Sequence, residues 1–404
     1  MAVRRCGAAK HNKVADMAVG RKELALFAVS VALCACATEI ALRAMGVAYP
    51  IFHKLESYRG WAPQPGVTGV WNTEGKSHIS INAEGFRDRD HVIEKPKNTL
   101  RIAILGDSMS EAFAVPVEST FWSVMAQELK SCAALKTRTT EVFNFSVSGY
   151  GTAQALLTLR RNALKYEPDI VLAPVFMGND ILNNDRALDG HKDRVYFTFD
   201  NGELVLDDSN TRTTRFWFKA TWRNIRNSVT NSSRVLQLFR EFYYRAKNTW
   251  WGRKQVADGL VFDSAAREYQ VFRVPDDPAW RRAWATTEAL LRAMRDESRA
   301  GGAKFWIATL TAPPQVYPDK KVRETFKADL NVETLDYPDQ RIAAFAKRGN
   351  IPIVALVGLL RTHADATGDY LHGFPNTRLG TGHWNEKGHQ VAGEVLARAV
   401  CAAL

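Results

Sequence analysis

Residues 101–113 read "RIAILGDSMSEAF". Ile102-Ala103-Ile104-Leu105 is an apolar run of strand length that stops at Gly106-Asp107-Ser108, and a helical segment follows after a short loop. A buried strand thus ends on a small residue, an acid and a hydroxyl. The tip of a strand is one of the few places where a serine is both held rigidly and exposed.

Outward from this strand the pattern repeats. Residues 99–105, 141–147 and 169–177 read as strands, and 118–131 and 152–166 as the helices between them. Two further strands are expected at 303–310 and 351–356, each preceded by a helix (281–299 and 336–348). The chain closes on a helix capped by Asn385. Strands alternating with helices predict an α/β fold: three αβα layers around a central parallel five-stranded sheet. Ligands in such sheets sit at the carboxyl ends of the strands, which is where Gly106-Asp107-Ser108 lies. Residues 185–280 break the alternation. They hold a hairpin at 196–206 turning on Asn201-Gly202 and a basic, aromatic segment, 215–254, expected as one or two helices.

At 404 residues, with 46% hydrophobic and 24% charged residues, the chain is globular rather than disordered. Its net charge of +11 is concentrated: Ser209–Val256 holds eleven Lys or Arg against the single acid Glu241. No nucleic-acid motif accompanies that charge, so no nucleic-acid partner is expected. Two readings of the segment stay open. Its aromatics either pack on the sheet while Arg and Lys face water, or place Trp217, Trp222, Trp250 and Trp251 at a membrane interface or a glycan.

Near the N-terminus a basic tail (1–22) precedes an uncharged run, "LALFAVSVALCACAT" (24–38), continued past Glu39 to Leu42. We read 23–42 as a transmembrane signal anchor that leaves the bulk of the chain outside the cytoplasm. The expected location is thus a single-pass inner-membrane protein with its main domain on the periplasmic side. A signal peptide cleaved at Ala35-Cys36-Ala37 and a lipidated Cys36 are the alternatives. Residues 43–97 follow as linker and N-terminal extension, and 98–404 as the main domain, with the insertion at about 185–280. Cys132 and Cys401 could form a disulfide in an oxidising compartment, but each sits among alanines on an expected helix. Two buried thiols are the expectation.

Four residues mark the tips of different elements: Ser108, Gly149 in "NFSVSGYGT", Asn179 in "VFMGND", and His383 in "GTGHWNEKGH". A hydroxyl, an imidazole and N–H donors converging on one sheet edge suit nucleophilic acyl chemistry. The set resembles the SGNH, or GDSL-type, hydrolases over roughly 98–180 and 350–404. That resemblance implies a flavodoxin-like fold and hydrolysis of carboxylic esters. It implies Ser108 as nucleophile, His383 as base, and an oxyanion hole from the N–H groups of Ser108 and Gly149 and the amide of Asn179. No cofactor or metal is implied. Acylated carbohydrate of the cell envelope, O-acetylated above all, or lipid would be the substrate. An O-acyltransferase using the same site and a non-catalytic glycan-binding protein are the rival readings.

One departure stands out. The family carries an aspartate three residues before the histidine, where this chain has Gly380. Asp365 and Asp369 are the upstream candidates to orient the imidazole, and Asp369 is the expected one. The cluster His372, His383, Glu386 and His389 lacks HExxH spacing. His389, in step with Ala392 and Val395, reads as a packing residue.

Overall fold

The computed structural model describes residues 20–255 and 261–404, with 248–255 as backbone only. Most of the basic tail, and the side chains of Trp250 and Trp251, lie outside the described residues. The chain forms two compact units, Met1–Val47 and Ala48–Leu404. In the first, Arg21–Ala44 is a 24-residue helix, long and apolar enough to cross a membrane.

In the second, the strands in chain order are β1 (His53–Glu56), β2 (Gly60–Pro63), β3 (Thr68–Trp71), β4 (Ser77–Ser80), β5 (Thr99–Ile104), β6 (Thr139–Asn144), β7 (Ile170–Phe176), β8 (Tyr196–Asp200), β9 (Glu203–Asp207), β10 (Lys304–Leu310) and β11 (Ile353–Ala355). Five of them build one parallel sheet in the order β11-β10-β7-β5-β6. All six residues of β5 are buried, as a strand covered by helices on both faces requires. Its one charge, Arg101, is neutralised in place: Glu141 accepts from Nε at 2.7 Å, and the carbonyls of Val92, Ile93, Glu94 and Tyr166 take the remaining donors.

The connections leave β5 toward β6 and then return across it to β7, so the chain reverses direction between β5 and β7. The crevice at such a reversal, outside the carboxyl ends, is where α/β sheets bind ligands. Helices cover both faces. Phe121–Leu129 and Glu386–Ala402 pack together on one of them, so closely that a Cβ on Gly393 would stand 2.6 Å from the Phe121 carbonyl oxygen. This contact brings Cys401 beside Cys132, and the two are disulfide-bonded with Cα atoms 5.8 Å apart. The expected pair of free thiols is thereby corrected. Helix–helix approach set the pairing across 269 residues of sequence, beyond the reach of local pattern.

The segment 43–97, expected as linker and extension, is from Ala48 onward part of the same compact unit as the sheet. It supplies two antiparallel hairpins, β1–β2 and β3–β4. In the insertion, β8 and β9 pair around Asn201 and Gly202, both with positive φ (48° and 86°) as a tight two-residue turn needs. The basic segment forms two helices, Thr214–Ser232 and Arg234–Gln255.

Candidate active site

Ser108 opens a one-turn helix, Ser108–Glu111, directly after β5. Asp107 caps it, its carboxylate accepting from the Met109 N–H at 2.9 Å. Gly106 makes the tight turn possible, since a Cβ there would lie 2.6 Å from Ser110 Oγ. The hydroxyl is consequently carried by a rigid strand and a capped turn, and it points at His383: Ser108 Oγ donates to Nε2 at 2.8 Å.

The other ring nitrogen of His383 meets a residue that no local motif marked. Glu74, in the loop joining β3 to β4, accepts from Nδ1 at 2.5 Å and from the His383 backbone N–H at 2.8 Å. Both carboxylate oxygens are used, so the imidazole is held with its proton on Nδ1 and its lone pair toward Ser108. Two glycines explain why the acid comes from here. Gly380 has φ +79°, and a Cβ at that position would stand 2.3 Å from Tyr317 Cε2, so no aspartate fits. Gly382 has φ +76°, and its missing Cβ leaves room for Glu74 Oε1, which would otherwise be 2.1 Å away. Asn376 fixes the loop: its side chain accepts from the Gly75 N–H (3.0 Å) and donates to the carbonyls of Asn72 (3.1 Å) and Gly75 (2.9 Å).

Burial opposes charging His383, but the Glu74 carboxylate, with Asp107 farther off, outweighs it and holds the imidazole pKa above its usual value. Burial likewise favours protonated Glu74, yet the hydrogen bonds and charge of His383 win and keep this carboxyl below its ordinary range. Asp107 is pushed up to about 6 by burial, against the Met109 N–H, His383 and Asn179. Asp180, whose carboxylate accepts from the Phe176 N–H at 2.7 Å, is raised by burial and by Asp107 beside it.

The structure does not bring Asp369 to the histidine. Its carboxylate lies 3.0 Å from His363 Nε2, and Asp365 pairs with Arg323 at 2.7 Å. The expectation of Asp369 as orienting acid is replaced by Glu74, which lies 309 residues before the ring it holds. The one hint in the sequence was negative, the lack of an acid at 380.

Gly149, with φ +78°, follows β6 in a loop packed under Trp61. Among the described residues neither its N–H nor that of Ser108 has an acceptor. The loop is tied to the Ser108 turn by Glu111, a fully buried acid on that turn, which accepts from the Ser148 N–H at 2.8 Å and from the Ser148 hydroxyl. Asn179 follows β7. Its carboxamide oxygen is buried without a donor among the described residues, so it does not cap the following turn. Beside Gly149 opens a cleft of about 340 Å³ bordered by Trp61, His191, Lys54 and Arg223.

The remaining imidazoles of the C-terminal cluster are committed to packing. His389 is buried, accepts from the Phe121 N–H at 3.2 Å and is driven down to about 3 by burial. His372 bridges the Gly382 carbonyl (2.8 Å) and Thr311 (3.1 Å), so it props the loop that carries His383. Among the described residues no group of three His, Cys, Asp or Glu could hold a metal ion.

No protein-family model and no curated protein matches the chain. Solved structures do. They include the acetyl xylan esterase AlAXEase, at 12% identity over 76% of this chain and 100% of that one, with a TM-score of 0.38. A GDSL-like lipase from Bacteroides thetaiotaomicron is 12% identical over 75% and 89%, TM-score 0.33. A catalytic mutant of the acetylxylan esterase Axe2 from Geobacillus stearothermophilus is 11% identical over 76% and 96%, TM-score 0.38. These structural neighbours are two acetyl xylan esterases and a GDSL-like lipase. At such identities and scores the reading of the site rests on its own geometry.

Proposed function

We propose that this chain is a serine esterase of the SGNH type, cleaving carboxylic esters through an acyl-enzyme on Ser108. The observation that carries the proposal is the continuous relay from Ser108 Oγ through His383 to Glu74, at 2.8 and 2.5 Å. In the first half-reaction His383 Nε2 takes the hydroxyl proton as Oγ attacks the ester carbonyl, and then returns it to the departing alcohol. Glu74 stabilises the imidazolium formed between those events. The free N–H groups of Ser108 and Gly149, with the Asn179 amide, are the donors assigned to the oxyanion. Water activated by the same imidazole releases the acid and restores the serine.

A non-catalytic glycan binder was attractive only while the histidine lacked an acid, and Glu74 supplies one. The cleft beside Gly149 combines an aromatic wall with Lys54 and Arg223, which supports an O-acylated carbohydrate as the alcohol portion, O-acetyl above all. We assign Arg21–Ala44 as a membrane anchor with Ala48–Leu404 outside the cytoplasm. The Cys132–Cys401 disulfide supports that side, because such bonds persist in oxidising compartments.

The test is covalent labelling by a fluorophosphonate, mapped by mass spectrometry, alongside turnover of p-nitrophenyl acetate. Label on Ser108 and loss of both signals in Ser108→Ala are expected. Wild-type turnover no greater than that of Ser108→Ala would refute an acyl-enzyme.

A further inference from the structure

Helix Thr214–Ser232 is amphipathic in the reverse sense. Its polar face is docked on the protein. Asn224 exchanges two hydrogen bonds with the main chain of Leu55 (3.0 and 2.9 Å), and Asn231 does the same with Ile51 (2.8 and 3.0 Å). Between them Asn227, 1% exposed, donates to the His53 carbonyl at 3.4 Å. One turn into the next helix, Gln237 accepts from the Tyr49 N–H at 2.8 Å. These side chains pair the exposed polar edge of residues 49–55, a service that a neighbouring strand usually provides.

The opposite face is apolar and open. Phe218, Trp222, Ile225 and Val229 are 63%, 71%, 54% and 55% exposed. At about 100° per residue they form one stripe, roughly 180° around the helix from the asparagines. Phe239 and Phe242 of the second helix are 74% and 71% exposed. A surface helix ordinarily buries this face, so one that turns it outward faces an apolar phase or a partner.

We propose that this helical pair lies on an anionic membrane surface, with the Phe218–Val229 stripe among the acyl chains and its arginines at phosphate headgroups. Charge selects lipid as the occupant. Arg215 and Arg226 flank one side of the stripe without a carboxylate partner among the described residues. The one acid of Ser209–Val256, Glu241, is itself paired with Arg245 at 2.8 Å. Aromatic side chains beside unpaired arginines fit the headgroup boundary, where rings sit at the acyl edge and guanidinium groups meet phosphate.

Chain connectivity argues the same way and rests on the assignment of Arg21–Ala44 as anchor. Tyr49, the residue bonded to Gln237, is only five residues past Ala44. With that helix in the bilayer, five residues place Tyr49 no more than ~18 Å of chain from its end. The surface would hold the catalytic domain against the membrane, with its substrate brought to that plane.

The experiment uses the full chain in nanodiscs, with Cys6, Cys34 and Cys36 changed to Ser. A single environment-sensitive fluorophore is placed by Trp222→Cys or Ile225→Cys, and at Leu359→Cys as a control on an exposed site of another helix. Discs of phosphatidylglycerol and phosphatidylcholine at about 3:7 are compared with pure phosphatidylcholine. Retention of protein by the discs reports on the anchor alone, and quenching reports on the surface. A lipid-borne nitroxide should quench the 222 and 225 labels ~threefold more than the 359 label. That excess should shrink in neutral discs, at high salt, and in the Arg215→Gln, Arg226→Gln double variant. Iodide quenching at 222 equal to that at 359 in anionic discs would overturn the proposal. So would labels shielded from both quenchers, which would mark a protein partner or a second copy, or equal lipid quenching in the two disc types.

Discussion

Glu74→Gln tests the assignment of the orienting acid, because the replacement keeps the size of the side chain and removes one acceptor. Glu74 meets two donors at once, the His383 backbone N–H at 2.8 Å and Nδ1–H at 2.5 Å. A glutamine offers one oxygen and one NH2. If its oxygen takes the backbone N–H, the NH2 faces Nδ1 and stabilises the tautomer with the proton on Nε2, which cannot accept from Ser108. If it flips, two donors collide at the backbone. At an effective dielectric of ~20 and 2.5 Å, the lost imidazolium–carboxylate attraction is roughly 6–7 kcal/mol before screening. The side chains are 17% and 38% exposed, and solvent trims this to about 4 kcal/mol, or ~10³-fold in kcat. The corresponding change in serine proteases costs about 10⁴-fold, which bounds the estimate from above.

The assay is kcat and KM for p-nitrophenyl acetate as a function of pH. His383 must be neutral to act as base, so activity rises with pH through its pKa, which Glu74 holds above the usual ~6.5. In Glu74→Gln the acid limb should move to lower pH while the plateau falls ~10³-fold and KM stays within about threefold. Asp369→Asn should leave both unchanged. A Glu74→Gln enzyme with more than about a third of wild-type kcat, or with an unmoved acid limb, would refute the relay.

Three further outcomes are expected. Gly382→Ala puts a Cβ 2.1 Å from Glu74 Oε1 at a left-handed φ, so kcat should fall by about tenfold or more with ~1 kcal/mol lost in stability, read by kinetics and thermal melting. Asn376→Ala removes the three hydrogen bonds that pin the loop carrying Glu74; at ~0.5–1.5 kcal/mol each, kcat should drop about tenfold and the acid limb should broaden. Reducing Cys132–Cys401, or Cys401→Ser, opens a loop of 269 residues and should cost about 3–5 kcal/mol in denaturant titration without changing kcat at low temperature.

The alternation of strands and helices was legible along the chain because each period is local. The run "RIAIL" reads as buried on both faces, Asn201-Gly202 as a two-residue turn, and Asn385 as an N-cap whose side chain accepts from Lys387 and Gly388 N–H. Ser108, Gly149, Asn179 and His383 could be picked out for the same reason, since each sits at the end of an element whose limits the pattern marks. Glu74 and the disulfide could not. Their partners lie 309 and 269 residues away, and no periodicity carries information across such a gap. The orientation of helix Thr214–Ser232 was equally hidden. Its apolar stripe and its asparagines are both visible in sequence, but which of them faces the protein depends on residues 49–55 offering main-chain groups to pair. Composition and local pattern thus determined the elements and three or four of their polar tips. Packing alone decided which carboxylate reaches the imidazole, because that follows from where two distant loops, one of them opened by Gly380 and Gly382, come into contact.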